Sequence, residues 1–464
     1  MLTIALAQLG QVLLDVALQS PLVRADRYVR DTVSLNAAAA LVGLPVWLAH
    51  WWWIQRSVLR SDGERASTLR HLYIYVALAV SMLVTAGSVL ESLMNALKAL
   101  ANAPLQNGLL ETVRPLPFVA LGAVVWLAHW RIAATDRACI EERGGSATLR
   151  RWYLYGLAFV GVLMLLLGVQ GLVEGLWRAA TSASQTVGGA LAVSIASAVV
   201  GLGLWLGHWR VLPAFLPREA RQDDGVSVLR SLYLFLALAV AVVGTLFGLS
   251  QLLYYAVARL LGVSDPGRIG GDLLQAAATP ASVALVYGAA WGYQRQALRA
   301  QASAFVEVPR QTGIRRLYTY LISLVALSVL SVGVAGLLWT LGDVLFNAPA
   351  ATAGDGWRGQ VALYATLALV GLPAWTLHWR PTTDSPESHS LARRLYVYLS
   401  LIGAMLALIG SAAAVLYRVI GLALGDTSSA SVLTDLAHAL GIACVAAAVA
   451  AYHWRVLRRD ARQP

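Results

Sequence analysis

"LRRWYLYGLAFVGVLMLLLGVQGLVEGL", Leu149–Leu176, decides the class of fold. From Leu154 to Leu176 only Gln170 and Glu174 interrupt the apolar run, and about 20 such residues in a helix cross a hydrocarbon core of about 30 Å. Val76–Leu90, extended by Leu93 and Met94, is a second run of this kind. The 464 residues are 58% hydrophobic and 13% charged, with a mean hydropathy of +0.65, whereas a soluble domain carries roughly 25% charged residues. The sequence therefore predicts an all-α, polytopic integral membrane protein.

The opening of that stretch recurs: "LRHLYIY" at Leu69, "LRRWYLY" at Leu149, "LRSLYLF" at Leu229, "IRRLYTY" at Ile314 and "ARRLYVY" at Ala392. The first tyrosines, Tyr73, Tyr153, Tyr233, Tyr318 and Tyr396, are spaced 80, 80, 85 and 78 residues apart. A second signature keeps step, "PVWLAHWW" from Pro45, "VVWLAHWR" ending at Arg131, "GLWLGHWR" at Arg210 and "PAWTLHWR" at Arg380. Its histidines are His50, His129, His208, His378 and His453, with Gln294 of "AAWGYQRQ" in the remaining place. A period of this length holds two spanning helices. Helix A opens on Arg-Leu-Tyr, and helix B returns to end on Trp-His. The predicted units are 1–55 (incomplete), 66–132, 146–211, 226–299, 311–380 and 389–457, six tandem hairpins of one orientation within a single membrane domain, unlike inverted-repeat transporters. Leu2–Gln19 lacks the tyrosine signature, so the count is eleven spans, or twelve if this segment crosses.

The "RRLYxY" opening, the apolar hairpin and their tandem arrangement resemble the bacterial multi-pass membrane family known as domain of unknown function 5671, and the resemblance covers nearly the whole chain. It implies the repeat architecture and brings no activity and no site residue with it.

Charge sets the expected topology. Net charge is +11; arginines crowd the loops after each Trp-His end (Arg56, Arg60, Arg65 and Arg70; Arg131, Arg137, Arg143, Arg150 and Arg151; Arg458 and Arg459), while the alternate loops hold only Lys98, Arg114, Arg178, Arg268, Arg358 and the like. The positive-inside asymmetry places the Arg-rich loops and the C-terminus in the cytoplasm of a bacterial inner membrane. No basic cluster is interleaved with aromatics on a soluble element, so nucleic acid is not an expected partner. The N-terminus has no basic region before its apolar residues and reads as a retained helix, without a signal peptide.

Aligned on the tryptophan, helix B reads Gly43, Trp47, His50; Gly122, Trp126, His129; Gly201, Trp205, His208; Gly371, Trp375, His378; and Ala446, Ala450, His453. Offsets of four and three put these on one face, and a small residue there suits close helix packing in a membrane. One chemistry for such histidines is haem or metal ligation. Gln294 in one of the six places and the lack of a regularly spaced carboxylate to orient the rings speak against it. The simpler expectation is an interfacial docking belt, the imidazole bonding a backbone carbonyl or the helix A tyrosine at the same depth. Of the paired tyrosines, such as Tyr73 and Tyr75, one is expected to reach helix B and the other the lipid interface.

Candidate docking positions are thus Trp47, His50, Trp126, His129, Trp205, His208, Gln294, Trp375, His378, His453, Tyr73, Tyr153, Tyr233, Tyr318 and Tyr396. No catalytic residue, metal site or cofactor is expected. Cys139, in a polar loop, and Cys444, in an apolar segment, lack partners at zinc spacing. Phosphate-binding glycine loops, Gly-x-Ser-x-Gly and His-Glu-x-x-His are absent, so the reading leans away from an enzyme. Glu91, Glu174 and Arg418 lie 18, 21 and 22 residues beyond their tyrosines, about 27 to 33 Å along a helix, and hence near the far membrane face; Asp15 alone is left unassigned. Without midplane carboxylates, ion-coupled transport is not favoured. The function expected is a scaffold that binds lipid or other membrane proteins; the alternatives are a transporter or channel for a neutral or hydrophobic molecule, and a haem- or quinone-associated redox subunit.

Overall fold

The computed structural model of the chain describes residues 2–20, 26–105, 107–140, 142–181, 188–266, 272–304, 309–346, 356–379, 385–425 and 429–462; Arg268 and Arg380 lie outside them. Among the described residues there is no strand, and the fold is carried by α1 (Leu2–Ala17), α2 (Asp26–Val58), α3 (Thr68–Leu100), α4 (Leu116–Cys139), α5 (Gly145–Thr181), α6 (Gly188–Leu206), α7 (Val228–Leu260), α8 (Leu273–Ala304), α9 (Pro309–Phe346), α10 (Gly356–His378), α11 (Leu391–Ala423) and α12 (Ser429–Asp460). Eleven described helices are long and apolar enough to cross a membrane; α1 is shorter, its 16 residues rising about 24 Å. Leu41, Leu285 and Leu406, within helices, are 75%, 65% and 64% exposed. Such side chains on an outer face require an apolar solvent. The protein is an all-α polytopic membrane protein.

Local chemistry fixes the helix ends. Ser227 Oγ accepts from the Arg230 amide at 3.2 Å, and Ser390 Oγ from the Arg393 amide at 3.4 Å, so a serine N-cap starts both α7 and α11. At the other ends Gly262 and Gly425 take φ of +80° and +96°, the left-handed turn that closes a helix and that a side chain would strain. Pro45, Pro280 and Pro373 sit inside helices, a tolerated place for proline in a membrane bundle. Cys139 is the last residue of α4, not a loop residue as its polar surroundings suggest.

The chain divides into two compact units, Met1–Ala237 and Leu238–Pro464, the division falling within α7. In the first, α1 packs on α2, α3 on α4, and α5 on α6; in addition α1 packs on α4, and α3 on α6. α1 and α3 thus each lie against their own return helix and the next one. The second unit repeats this, with α9 on α10 and on α12, and α11 on α12. Glycines set the spacing within the pairs. Gly161 faces the Trp205 backbone, Gly168 Ala198, Gly171 Ser194 and Gly175 Leu191; numbers rising on α5 against numbers falling on α6 make an antiparallel hairpin. Gly333 and Gly336 face Ala368 and Tyr364 in the same way. A Cβ on Gly161 would stand 2.5 Å from the Trp205 nitrogen, so the backbones touch, as small residues allow between membrane helices.

Each unit has a buried apolar cluster at its tyrosine ends. In the first unit Ile74, Tyr75, Leu78, Tyr153, Leu154, Leu157, Leu204 and Leu212 form one buried cluster; in the second, Tyr320, Leu327, Trp379, Tyr396, Val397 and Val456 form another. Asp15 is buried too, accepting from the Tyr28 hydroxyl at 3.0 Å with Arg114 Nε at 3.4 Å.

Candidate functional site

Polar groups at the ends of apolar helices must find partners before they can be buried, and the two repeated signatures supply them to each other. In the π-helical turn Gly207–Val211 that continues α6, His208 Nδ1 lies 2.9 Å from the Leu204 carbonyl oxygen, which can only accept. Nδ1 therefore carries the proton, Nε2 is the acceptor, and the Tyr153 hydroxyl 3.0 Å away donates to it. The same hydroxyl oxygen accepts from Trp126 Nε1 of the preceding return helix, α4, at 2.7 Å. One oxygen so ties α4, α5 and α6 together. The second unit contains the identical chain: Trp375 to Tyr396 at 2.9 Å, Tyr396 to His453 at 3.0 Å, and His453 to the Val449 carbonyl at 2.9 Å.

Other copies are partial. Trp205 donates to Tyr233 at 2.9 Å. His129 holds the Val125 carbonyl at 2.8 Å and meets Tyr73 at 3.4 Å. His378 holds the Ala374 carbonyl at 2.9 Å, its ring edge-on to Tyr318 with centroids 6.4 Å apart. His50 is exposed and only holds its own helix, at the Val46 carbonyl, 2.8 Å away, while Trp47 stacks on Trp51 at 5.8 Å. Gln294 is buried, its Oε1 without a hydrogen-bond partner among the described residues.

The second tryptophan of the signature has its own task. Trp209 lies 4.8 Å from the Tyr233 ring and under the Arg230 guanidinium at 4.9 Å; Trp379 lies 4.5 Å from Tyr396 and under Arg393 at 4.6 Å. In both pairs Arg-x-x-Tyr of one hairpin clasps the tryptophan that ends the previous one. Geometry of this kind combines aromatic packing with a cation–π contact.

Buried ion pairs frame these contacts. Arg150, 2% exposed, pairs with Glu142 and with Asp224 at 2.9 Å, and Arg151 joins Asp224 at 2.7 Å. Arg393 pairs with Asp460 at 2.8 Å and Arg70 with Asp136 at 2.9 Å, and Arg316 makes a partly exposed pair with Glu387 at 2.7 Å. The second tyrosines also take part: Tyr75 donates to Glu142, and Tyr320 to Glu387, both at 2.7 Å. The expectation that one tyrosine of each pair reaches the lipid interface fails at Tyr153 and Tyr155, which are both buried. Tyr75, Tyr155 and Tyr320 are buried; Tyr398, in the last hairpin, is exposed at 49%. Helix B and lipid are not the only neighbours of helix A, because the next hairpin and the loop leading into it cover the second face.

Sequence reasoning counted Arg150 among the loop arginines, yet Arg150 and Arg393 are among the most buried side chains. It passed over His438 altogether. That ring stacks on Trp339 with centroids 3.6 Å apart and meets Asp343 at 2.8 Å; the 95 residues separating His438 from Asp343 leave no local signal to find. Among the described residues no group of three or more His, Cys, Asp or Glu is arranged to hold a metal ion.

A family model described as a domain of unknown function (DUF5671) matches residues 1–116, 107–180, 151–290 and 316–448, a repeat-like tandem arrangement. No curated protein matches the chain, and no solved structure does.

Proposed function

Since the chain belongs to the DUF5671 family, whose model matches it along most of its length, we propose that it is a non-catalytic scaffold of a bacterial inner membrane, built from six like-oriented hairpins, whose lateral faces bind lipids and other membrane proteins. The docking positions named from the sequence are, in this reading, joints between consecutive hairpins. The observation that carries it is the engagement of both ring nitrogens of His208 and His453 by protein groups. A haem iron would have to displace a buried tyrosine hydroxyl to reach Nε2. Gln294, buried in the sixth place, would ligate iron poorly. The Arg-rich ends and the C-terminus face the cytoplasm by the positive-inside bias.

Two assays test the reading. The protein purified from its native membrane in mild detergent should bring down a membrane protein in fixed stoichiometry, and proteoliposomes made from it should hold a small neutral solute as tightly as empty vesicles. Solute flux through the vesicles, or a Soret band in the purified protein, would overturn it.

A further inference from the structure

The second unit contains a groove that the joints do not use. Leu327, Val332, Gly403, Ala407, Val445 and Val449 line its apolar stretch, which holds 480 Å³. A polar stretch of 500 Å³ continues from it, sharing Trp339, Ala407 and Ile442. Here the walls carry Ser411, the His438 ring stacked on Trp339 and bonded to Asp343, and the Arg418–Asp435 ion pair. Ser411 is 5% exposed, and its Oγ has no hydrogen-bond partner among the described residues. A buried hydroxyl left without a partner is costly in an apolar site, and here it lines a groove large enough for a small molecule.

We propose that this groove binds a single long-chain lipid with an uncharged, oxygen-bearing head of the quinone class, the head at Ser411 and Trp339 and the chain along the apolar stretch. Length favours such a chain. From Leu324 to Trp339, both lining residues, α9 rises about 22 Å, more than the roughly 15 Å of one leaflet that is half of a 30 Å core. Charge favours the uncharged head: the Arg418 guanidinium is already paired with Asp435 and His438 with Asp343, so each basic group here is matched by a carboxylate that would repel a phosphate. The flat Trp339 indole, already stacked on His438, suits a planar ring. This deepens the lipid-binding part of the proposed function and rests on it; solute flux would sink that function, whereas loss of the groove ligand alone would leave the scaffold standing.

The test is the melting temperature of the purified protein titrated with decylubiquinone or with dioleoylphosphatidylglycerol. The quinone should raise it in the wild type and the anionic phospholipid should not. Ala407→Trp, which fills the groove, should abolish the rise, and Ser411→Ala, which removes the orphan hydroxyl without adding bulk, should weaken quinone binding about fivefold, the worth of one hydrogen bond. If Ala407→Trp does not elute as folded protein, Ser411→Ala decides alone. No rise with the quinone, an equal rise in Ser411→Ala, or an equal or larger rise with the phospholipid would overturn the proposal.

Discussion

The Tyr153 hydroxyl stands 3.0 Å from Nε2 of His208, and through that contact the opening and return helices of one hairpin are held at a fixed register while the same oxygen receives the indole of the hairpin before. Tyr153→Phe leaves Trp126 Nε1 and His208 Nε2 without a partner. Stability should fall by about 1–2 kcal/mol, the upper range for hydrogen bonds between membrane helices. Tyr73→Phe should cost less than half as much, because its contact to His129 is 3.4 Å long and Tyr73 is 46% exposed. Denaturant titration of the two variants in bicelles measures both; equal losses would deny the joint its importance.

Glutamine already occupies one of the six histidine places, at Gln294, so His208→Gln should fold with a loss under about 1 kcal/mol while His208→Leu loses at least as much as Tyr153→Phe. A metal or haem ligand would show the opposite economy, with both variants equally defective. Comparing their thermal midpoints separates the cases.

How far the sequence reached is clearest at this joint. Fixed spacing and the four-then-three offsets of Gly, Trp and His were legible, because helix periodicity is local. The partner of each group was not: whether Trp126 would meet Tyr153 of the following hairpin or lipid depends on how hairpins stack, which no local rule encodes. The burial of Arg150 escaped for the same reason. Arg150 stands beside two acidic residues 8 and 74 positions away, and nothing in its own loop marks it as buried. His438 and Asp343 pair across a still greater separation, and nothing in either neighbourhood marks them.

Arg150 offers a sharper stability test. Arg150→Met leaves Glu142 with the Tyr75 hydroxyl but without its guanidinium and takes one of two guanidinium partners from Asp224, and breaking a buried pair from one side costs about 3–5 kcal/mol. Arg178→Met removes a half-exposed pair with Glu174 one turn away, worth about 1 kcal/mol or less. Expression level and melting temperature should separate the two variants widely; similar values would mean that the Arg150 cluster is solvated in the membrane.

Glycine spacing gives a fourth comparison. Gly168 lies against the Ala198 backbone, whereas Gly156 has nothing within 4 Å of where its Cβ would be. Gly168→Ala should destabilise by about 1–3 kcal/mol through overpacking, and Gly156→Ala should be neutral or slightly stabilising, as alanine favours helix. Thermal unfolding of the pair checks this hairpin register directly.

Orientation is open to a simple assay. Green fluorescent protein fused after Pro464 should fluoresce and alkaline phosphatase at the same place should be inactive, since the Arg-rich ends are expected to stay in the cytoplasm. Active phosphatase would invert every hairpin.

Whether the signatures are joints is decided most directly by a double-mutant cycle on Trp126→Phe and Tyr153→Phe, with unfolding free energies measured in bicelles. Residues that hold one hairpin to the next through a shared hydrogen bond should couple by about 0.5 kcal/mol or more. Strict additivity of the two losses would contradict the joint and leave the repeated tryptophans and tyrosines as independent interfacial anchors.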